Sequence, residues 1–227
     1  LTILVVVLVL ALESPSWSTV FWDDSFEYAD QPTMAAVWDG ASCVGDTTVL
    51  APTTARFRSG AKSIQEYFTG TAPNYEGGRS CYFGGRRFPA TNTLYSRWWM
   101  YLTDHTGASN FLVGSPTTKI TLQFPNSCST CFSVWWQMDN GTTNLTATYQ
   151  HADGTGINYK ASGNIPQRQW ACVETQITAE SPAGASNGVI AAWINGVQVL
   201  SRTNLTLLKS GGNGPLVQAR LYTQNGL

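Results

Sequence analysis

Two strand-like segments of the sequence carry side chains suited to binding or processing a sugar. RWWMYL (97–102) and SVWWQMDNG (133–141) each place two tryptophans side by side. Successive side chains of a β-strand point to opposite faces, so only one tryptophan of each pair can share a face with the polar residues around it. The other tryptophan of each pair is expected in the core.

Alternation in the neighbouring segment KITLQF (119–124) predicts which face is which. Its apolar residues occupy every second position, which is typical of a half-buried strand. The same rule assigns Trp98 and Trp136 to the core. The side chains predicted to share one outward face, if the three strands are neighbours, are Arg97, Trp99, Tyr101, Lys119, Gln123, Trp135 and Gln137.

This set combines flat aromatic rings with amides and cations. Aromatic rings stack on the apolar C–H face of a pyranose, while amides and charged groups bind hydroxyls or carboxylates. The seven residues therefore predict a surface that binds a polysaccharide substrate.

The elements that position these residues are predicted to be β-strands throughout. No window holds the apolar spacing of an amphipathic helix, and turn sequences separate short alternating runs. Asn195-Gly196 in WINGVQV is typical of a two-residue hairpin turn. The pattern predicts an all-β sandwich or barrel.

Length and charge narrow the functional classes. The chain of 227 residues suits one β domain, and its net charge of -1 gives no basic surface for nucleic acid. Charged residues make up 12% of the chain, so uncharged polar groups keep it soluble, as in many secreted proteins.

The N-terminus resembles an incomplete secretion signal. LTILVVVLVLAL is too short to span a bilayer and is followed by small residues suited to cleavage after residue 18. We expect a signal peptide over residues 1–18, a secreted domain over residues 19–227 and no membrane span in the mature chain. The five cysteines then predict disulfides with one thiol left over, and their pairing stays open.

Several motifs resemble the concanavalin A-like lectin/glucanase superfamily. They are FEYAD, SGAKSI, LYSRWWMYL, QWACVE, SPAGASNGVIAAWINGVQV and LYTQNG. The resemblance is closest to the polysaccharide-lyase-like and laminin-G-like jelly rolls, and it covers most of the chain after residue 19. It implies two curved antiparallel sheets in a sandwich, a glycan groove on the concave face, and one more C-terminal strand than the sequence contains.

The same resemblance implies a structural calcium ion and no other cofactor. The ion would use acidic residues of DDSFE, namely Asp24 and Glu27, with Asp23 nearby. The alternative is that Asp23 and Asp24 are solvated turn residues.

A retaining or inverting glycosidase is disfavoured. Such enzymes need two carboxylates a short distance apart, whereas Glu174 and Glu180 in ETQITAE would lie about 20 Å apart along a strand.

Three functional hypotheses remain. The first is a polysaccharide-binding module, and the second is a lyase that cleaves a uronate glycan by β-elimination, although the alginate-lyase motifs are absent. For the lyase we expect Arg97, Gln123 or Gln137 to neutralise the substrate carboxylate and His151 or Tyr149 to act as base. The third is an adhesion module without a glycan role. The sequence leaves the oligomeric state open.

Overall fold

A computed structural model describes the chain in eleven stretches. These are residues 27–38, 41–44, 47–55, 58–68, 79–83, 86–103, 117–125, 132–139, 142–151, 156–208 and 216–225. The backbone alone is described for residues 41–44, 47–51, 64–68, 79–83, 86–90, 117–125, 132–133, 150–151 and 216–225.

The described elements are one short helix and a series of antiparallel strands. In chain order they are α1 (Gln31–Val37), β1 (Ala41–Val44), β2 (Thr47–Thr53), β3 (Ser63–Phe68), β4 (Arg79–Phe83), β5 (Arg86–Thr91), β6 (Thr93–Tyr101), β7 (Thr117–Pro125), β8 (Phe132–Asp139), β9 (Asn144–His151), β10 (Gly156–Asn164), β11 (Trp170–Thr178), β12 (Gly188–Ile194), β13 (Val197–Leu205) and β14 (Leu216–Asn225).

The strands form two main sheets. The large sheet has the order β1-β4-β14-β7-β8-β9-β10, with β5 also paired to β14. The small sheet has the order β13-β12-β11-β6, and β2 pairs with β3 separately. The predicted two-sheet antiparallel sandwich is therefore confirmed.

One apolar core lies between the large and small sheets. Its largest fully buried side chain is Trp136, and it combines residues of β8, β9 and β10 with residues of β6, β11, β12 and β13. Trp98 of β6 packs against the same cluster. Both predicted inward tryptophans therefore lie on the core side of their strands.

Local sequence signals account for the turn between β12 and β13 and for the start of α1. Asn195 and Gly196 have φ angles of 50° and 79° and join β12 to β13, as an Asn-Gly hairpin turn requires. The sequence did not predict α1, whose N-cap Asp30 accepts a hydrogen bond from the Thr33 N–H at 2.9 Å. No helix in the described stretches is long and apolar enough to cross a membrane.

Candidate functional site

The seven predicted substrate-binding residues do not share one face. Arg97, Trp99 and Tyr101 belong to β6 in the small sheet, whereas the remaining four lie on β7 and β8 in the large sheet. The prediction of a single face is wrong because it assumed that the three strands are neighbours in one sheet. Alternation assigns each side chain to one of the two faces of its strand, but it does not determine which strands pair.

The β6 residues line the outer face of the small sheet, which we call the aromatic face (Tyr95, Arg97, Trp99, Tyr101, Trp170 and Glu174). Trp99 is 40% exposed, and the guanidinium of Arg58 lies 3.5 Å from its ring centroid. Tyr101 and Trp170 contact edge to face, with centroids 5.6 Å apart. Arg97 Nε donates to Glu174 Oε1 at 2.8 Å, and this hydrogen bond raises the pKa of Arg97. Arg97 is therefore paired with an acid and lies on the opposite side of the sandwich from Gln137.

The outer face of the large sheet is the second surface, which we call the polar face. Its described side chains alternate with core residues along β8, β9 and β10. They are Trp135, Gln137, Asp139, Asn144, Thr146, Thr148, Asn158, Lys160 and Ser162.

One row of residues crosses four strands of the polar face. Strand register places Lys119 opposite Gln137, Gln137 opposite Thr146, and Thr146 opposite Lys160. Paired strands lie about 4.8 Å apart, so the backbones of the outermost residues are separated by about 14 Å. The row therefore has a lysine position at each end and an amide between them.

The middle of this row is buried although it lies away from the core. Gln137 is 6% exposed and Thr146 is 3% exposed. The Thr146 hydroxyl and the Asn144 Oδ1 atom are buried without a hydrogen-bond partner in the described structure. Buried polar atoms are normally hydrogen-bonded, so these two atoms need partners that the described residues do not supply.

Other polar contacts hold the ends of the face. Lys160 Nζ forms an ion pair with Asp139 Oδ2. Thr148 donates its hydroxyl hydrogen bond to Asn158 Oδ1 at 2.6 Å. Trp135 lies opposite Thr148 and is half-buried. The face thus presents one aromatic ring beside amides, hydroxyls and a charged pair.

Both predicted bases are poorly placed. Tyr149 belongs to the core rather than the polar face, being 6% exposed and stacked on Tyr159 with centroids 6.4 Å apart. Burial raises its pKa, so the phenolate is disfavoured further. The side chain of His151 lies outside the description. Its backbone is five residues along β9 from Thr146, or about 16 Å at 3.3 Å per residue.

The register of β7 also differs from simple alternation. One extra residue lies between Lys119 and Thr121, so Gln123 is opposite Val134, whose side chain is in the core. Such a bulge shifts every later residue by one position relative to the partner strand. Only Lys119 of the two β7 candidates is therefore paired with a residue of the polar face.

The two glutamates considered for glycosidase chemistry have structural partners. Glu174 is the acid that pairs with Arg97. Glu180 is 2% exposed, and its two carboxylate oxygens accept the N–H groups of Leu207 and Leu208 at 2.8 and 2.6 Å. Neither carboxylate lies on the polar face.

The predicted calcium site is only partly covered by the structure. Asp24 lies outside the described residues. Glu27 Oε1 accepts hydrogen bonds from the N–H groups of Ala61 and Lys62 at 3.0 and 3.1 Å. In the described stretches no three acidic, histidine or cysteine side chains come together around a metal position. One Glu27 oxygen therefore already accepts two backbone hydrogen bonds. Calcium binding by Asp24 and Glu27 stays a prediction.

Sequence reasoning missed several residues of the polar face. Thr146 and Thr148 alternate with Leu145 and Ala147, so the rule applied to KITLQF would have found them. Lys160 belongs to β10, which was not predicted because GINYKASGN lacks a clear apolar alternation.

Comparison with known proteins gives structural matches only. No family model matches the chain, and no curated protein matches it in sequence. The endo-β-1,4-glucuronan lyase from the fungus Trichoderma reesei matches with a TM-score of 0.63 at 13% identity, over 83% of this chain and 79% of the lyase.

Two alginate lyases also match. The PL-14 alginate lyase from Aplysia kurodai has a TM-score of 0.61 at 11% identity, over 91% of this chain and 98% of that chain. A variant of alginate lyase Aly36B in complex with alginate trisaccharide has a TM-score of 0.57 at 13% identity, over 90% of this chain and 87% of that chain. The protein therefore has the concanavalin A-like jelly-roll fold, which it shares with this glucuronan lyase and these two alginate lyases.

Proposed function

We propose that the protein is a polysaccharide lyase that cleaves a uronate-containing glycan on the polar face. The observation that carries the proposal is the row across β7 to β10, where a buried amide, Gln137, lies between two lysine positions. The fold shared with glucuronan and alginate lyases supports the same substrate class. The expected export from the cell belongs to this proposal, because such glycans are extracellular polymers.

β-Elimination requires two groups at one uronate residue. A donor binds the C5 carboxylate and makes the C5 proton more acidic, and a base removes that proton. The C–H electron pair then forms the C4=C5 double bond, the C4–O bond breaks, and the leaving oxygen takes up a proton. The product is an unsaturated uronate, and no water is consumed.

Gln137 is the candidate for the donor. Its side-chain amide carries two N–H groups, and its burial strengthens a hydrogen bond to a carboxylate because water competes less. The Thr146 hydroxyl opposite Gln137 has no partner among the described residues, and we expect the bound glycan to supply one.

Lys119 is the candidate for the base or for a second contact with substrate charge. Its backbone is directly opposite Gln137, one strand spacing away. Asp139 is the other titratable neighbour on β8, but it pairs with Lys160. His151 is too distant along β9 to reach the uronate bound by Gln137.

Gln137→Leu tests the assignment because it keeps the side-chain volume and removes the amide. With glucuronan or alginate, we expect the appearance of the unsaturated product, followed by its ultraviolet absorbance, to slow about 100-fold or more. Lys119→Met should cause a comparable loss. The matched control is Gln176→Leu, which changes a half-buried glutamine on the outer side of the small sheet. If Gln137→Leu cleaves the glycan at the wild-type rate, Gln137 has no role in catalysis. If the wild-type protein forms no unsaturated product from any uronan, the proposed lyase activity is wrong.

A non-catalytic glycan-binding module is the second candidate. It is favoured by one observation: the described side chains of the polar face include no histidine or tyrosine. Affinity gel electrophoresis separates the two functions, because a binding module is retarded by the glycan without producing unsaturated ends.

A further inference from the structure

A basic cleft lies where the edge strands of the two sheets meet. It has a volume of about 300 Å³. Its lining residues are Lys160, Ser162, Gln198, Val199, Leu200, Ser201 and Arg202. Two of them are cations and none is acidic.

Specific contacts form the floor of this cleft. The hydroxyl of Ser162 in β10 donates to the Val199 carbonyl of β13 at 3.1 Å. At Gly163 a Cβ atom would lie 2.8 Å from Val199 Cγ1, so glycine allows the two strands to approach this closely. The cleft is therefore a fixed part of the sandwich edge.

Arg202 supplies the charge that is available in the cleft. Its Nη1 donates to the Ser201 carbonyl at 2.9 Å, and its guanidinium lies 5.8 Å from the Tyr159 ring centroid. No carboxylate in the described stretches pairs with it. Lys160, in contrast, shares its charge with Asp139. An arginine held by a carbonyl and a ring, with free N–H groups, is suited to a carboxylate ligand.

The cleft is continuous with the polar face through Lys160. This lysine ends the row that contains Gln137, two strand spacings or roughly 10 Å from it. A glycan chain that follows the row across β8, β9 and β10 reaches the sheet edge at Lys160 and continues over the cleft.

We propose that this cleft is an accessory subsite for the carboxylate of a uronate residue remote from the cleaved bond, with Arg202 as its main contact. The serine hydroxyls and the Gln198 amide are available to the sugar hydroxyls. This inference rests on the proposed function, because it assumes that a uronan chain binds along the polar face.

Arg202→Ala and Arg202→Glu test the subsite, with Arg168→Ala as a control that removes an exposed charge elsewhere. On polymeric glucuronan or alginate, Arg202→Ala should raise KM about three- to tenfold with kcat unchanged, and Arg202→Glu should raise it further. The KM of Arg202→Ala should also depend less on salt, because one charge contact is lost. On a disaccharide of the same uronan both variants should equal wild type, because so short a chain does not span both sites.

The outcomes distinguish the subsite from the lyase proposal. If wild type cleaves the polymer and both Arg202 variants have its KM, the subsite is wrong and the lyase stands. If wild type binds a uronan in affinity electrophoresis without cleaving it, the lyase is wrong, and loss of retardation in Arg202→Glu supports the subsite. Absence of both cleavage and retardation refutes both. A fall in kcat at constant KM would also contradict a remote binding role.

Discussion

The adjacent tryptophans of β8 provide a sharp test of the fold, because the structure gives them opposite environments. Trp136 is 0% exposed and lies in the core between the two sheets. Trp136→Ala removes a large buried side chain and leaves a cavity, which costs about 3 to 5 kcal/mol of unfolding free energy. For a domain of this size, that loss lowers Tm by about 6 to 20 °C.

Trp135→Ala is the matched control because it makes the same chemical change one residue away. Trp135 is half-buried on the polar face, so its truncation should cost less than about 2 kcal/mol. It should instead weaken binding of a uronan by up to about tenfold, if its ring stacks on a sugar.

Thermal unfolding and urea denaturation of both variants measure the difference, and affinity electrophoresis measures glycan binding. Equal destabilisation by the two substitutions would refute the assignment of their faces. A stable Trp136→Ala variant would show that the core has been placed on the wrong side of β8.

Three further predictions concern buried or paired groups. Glu180→Gln should lower the free energy of unfolding in urea by about 1.5 to 3 kcal/mol, because the amide nitrogen cannot accept one of the two backbone N–H hydrogen bonds. Glu174→Gln, which breaks the ion pair with Arg97 on the outer face, should cost less than about 1 kcal/mol, and equal losses would contradict a structural role for Glu180. Burial raises the pKa of the Cys172 thiol, so its contribution to stability is complete below the unfolded pKa of about 8.5 and is lost as pH rises through the higher folded pKa. The urea midpoint should fall less between pH 7 and pH 10 in Cys172→Ala than in wild type, and parallel profiles would refute this. Cys43 lies opposite Cys81 in the β1 and β4 pair, where Cα atoms are about 4.5 to 5.5 Å apart, so peptide mapping after treatment with oxidised glutathione should recover them as a disulfide, and recovery as thiols would contradict it.

Most strand positions could be predicted from the sequence because their signals are local. The segment WACVETQIT was predicted as residues 170–178, which are the bounds of β11. The Asn-Gly turn between β12 and β13 was predicted for the same reason, since two adjacent residues determine it. β10 was missed because its alternation is weak, with Ala161 as the one buried side chain in GINYKASGN.

The arrangement of the strands depends on contacts between distant residues, which no local pattern records. β6 pairs with β11, so Arg97 meets Glu174 across 77 positions of sequence. β7, β8, β9 and β10, in contrast, follow one another as neighbours in the large sheet. Chain order therefore groups Lys119, Trp135 and Gln137 correctly on neighbouring strands. It fails for the β6 residues, which belong to the other sheet, and β10 was not predicted at all.

Because β6 and β8 belong to different sheets, the two outward tryptophans cannot form one binding surface. Trp99 and Trp135 lie on opposite outer faces of a sandwich whose sheets alone are about 10 Å apart, so one sugar residue cannot stack on both. Trp135 shares its face with Gln137 and Thr146, so the proposed glycan site assigns the stacking role to Trp135. Trp99 already has Arg58 over its ring, so its partial exposure has an explanation that needs no sugar.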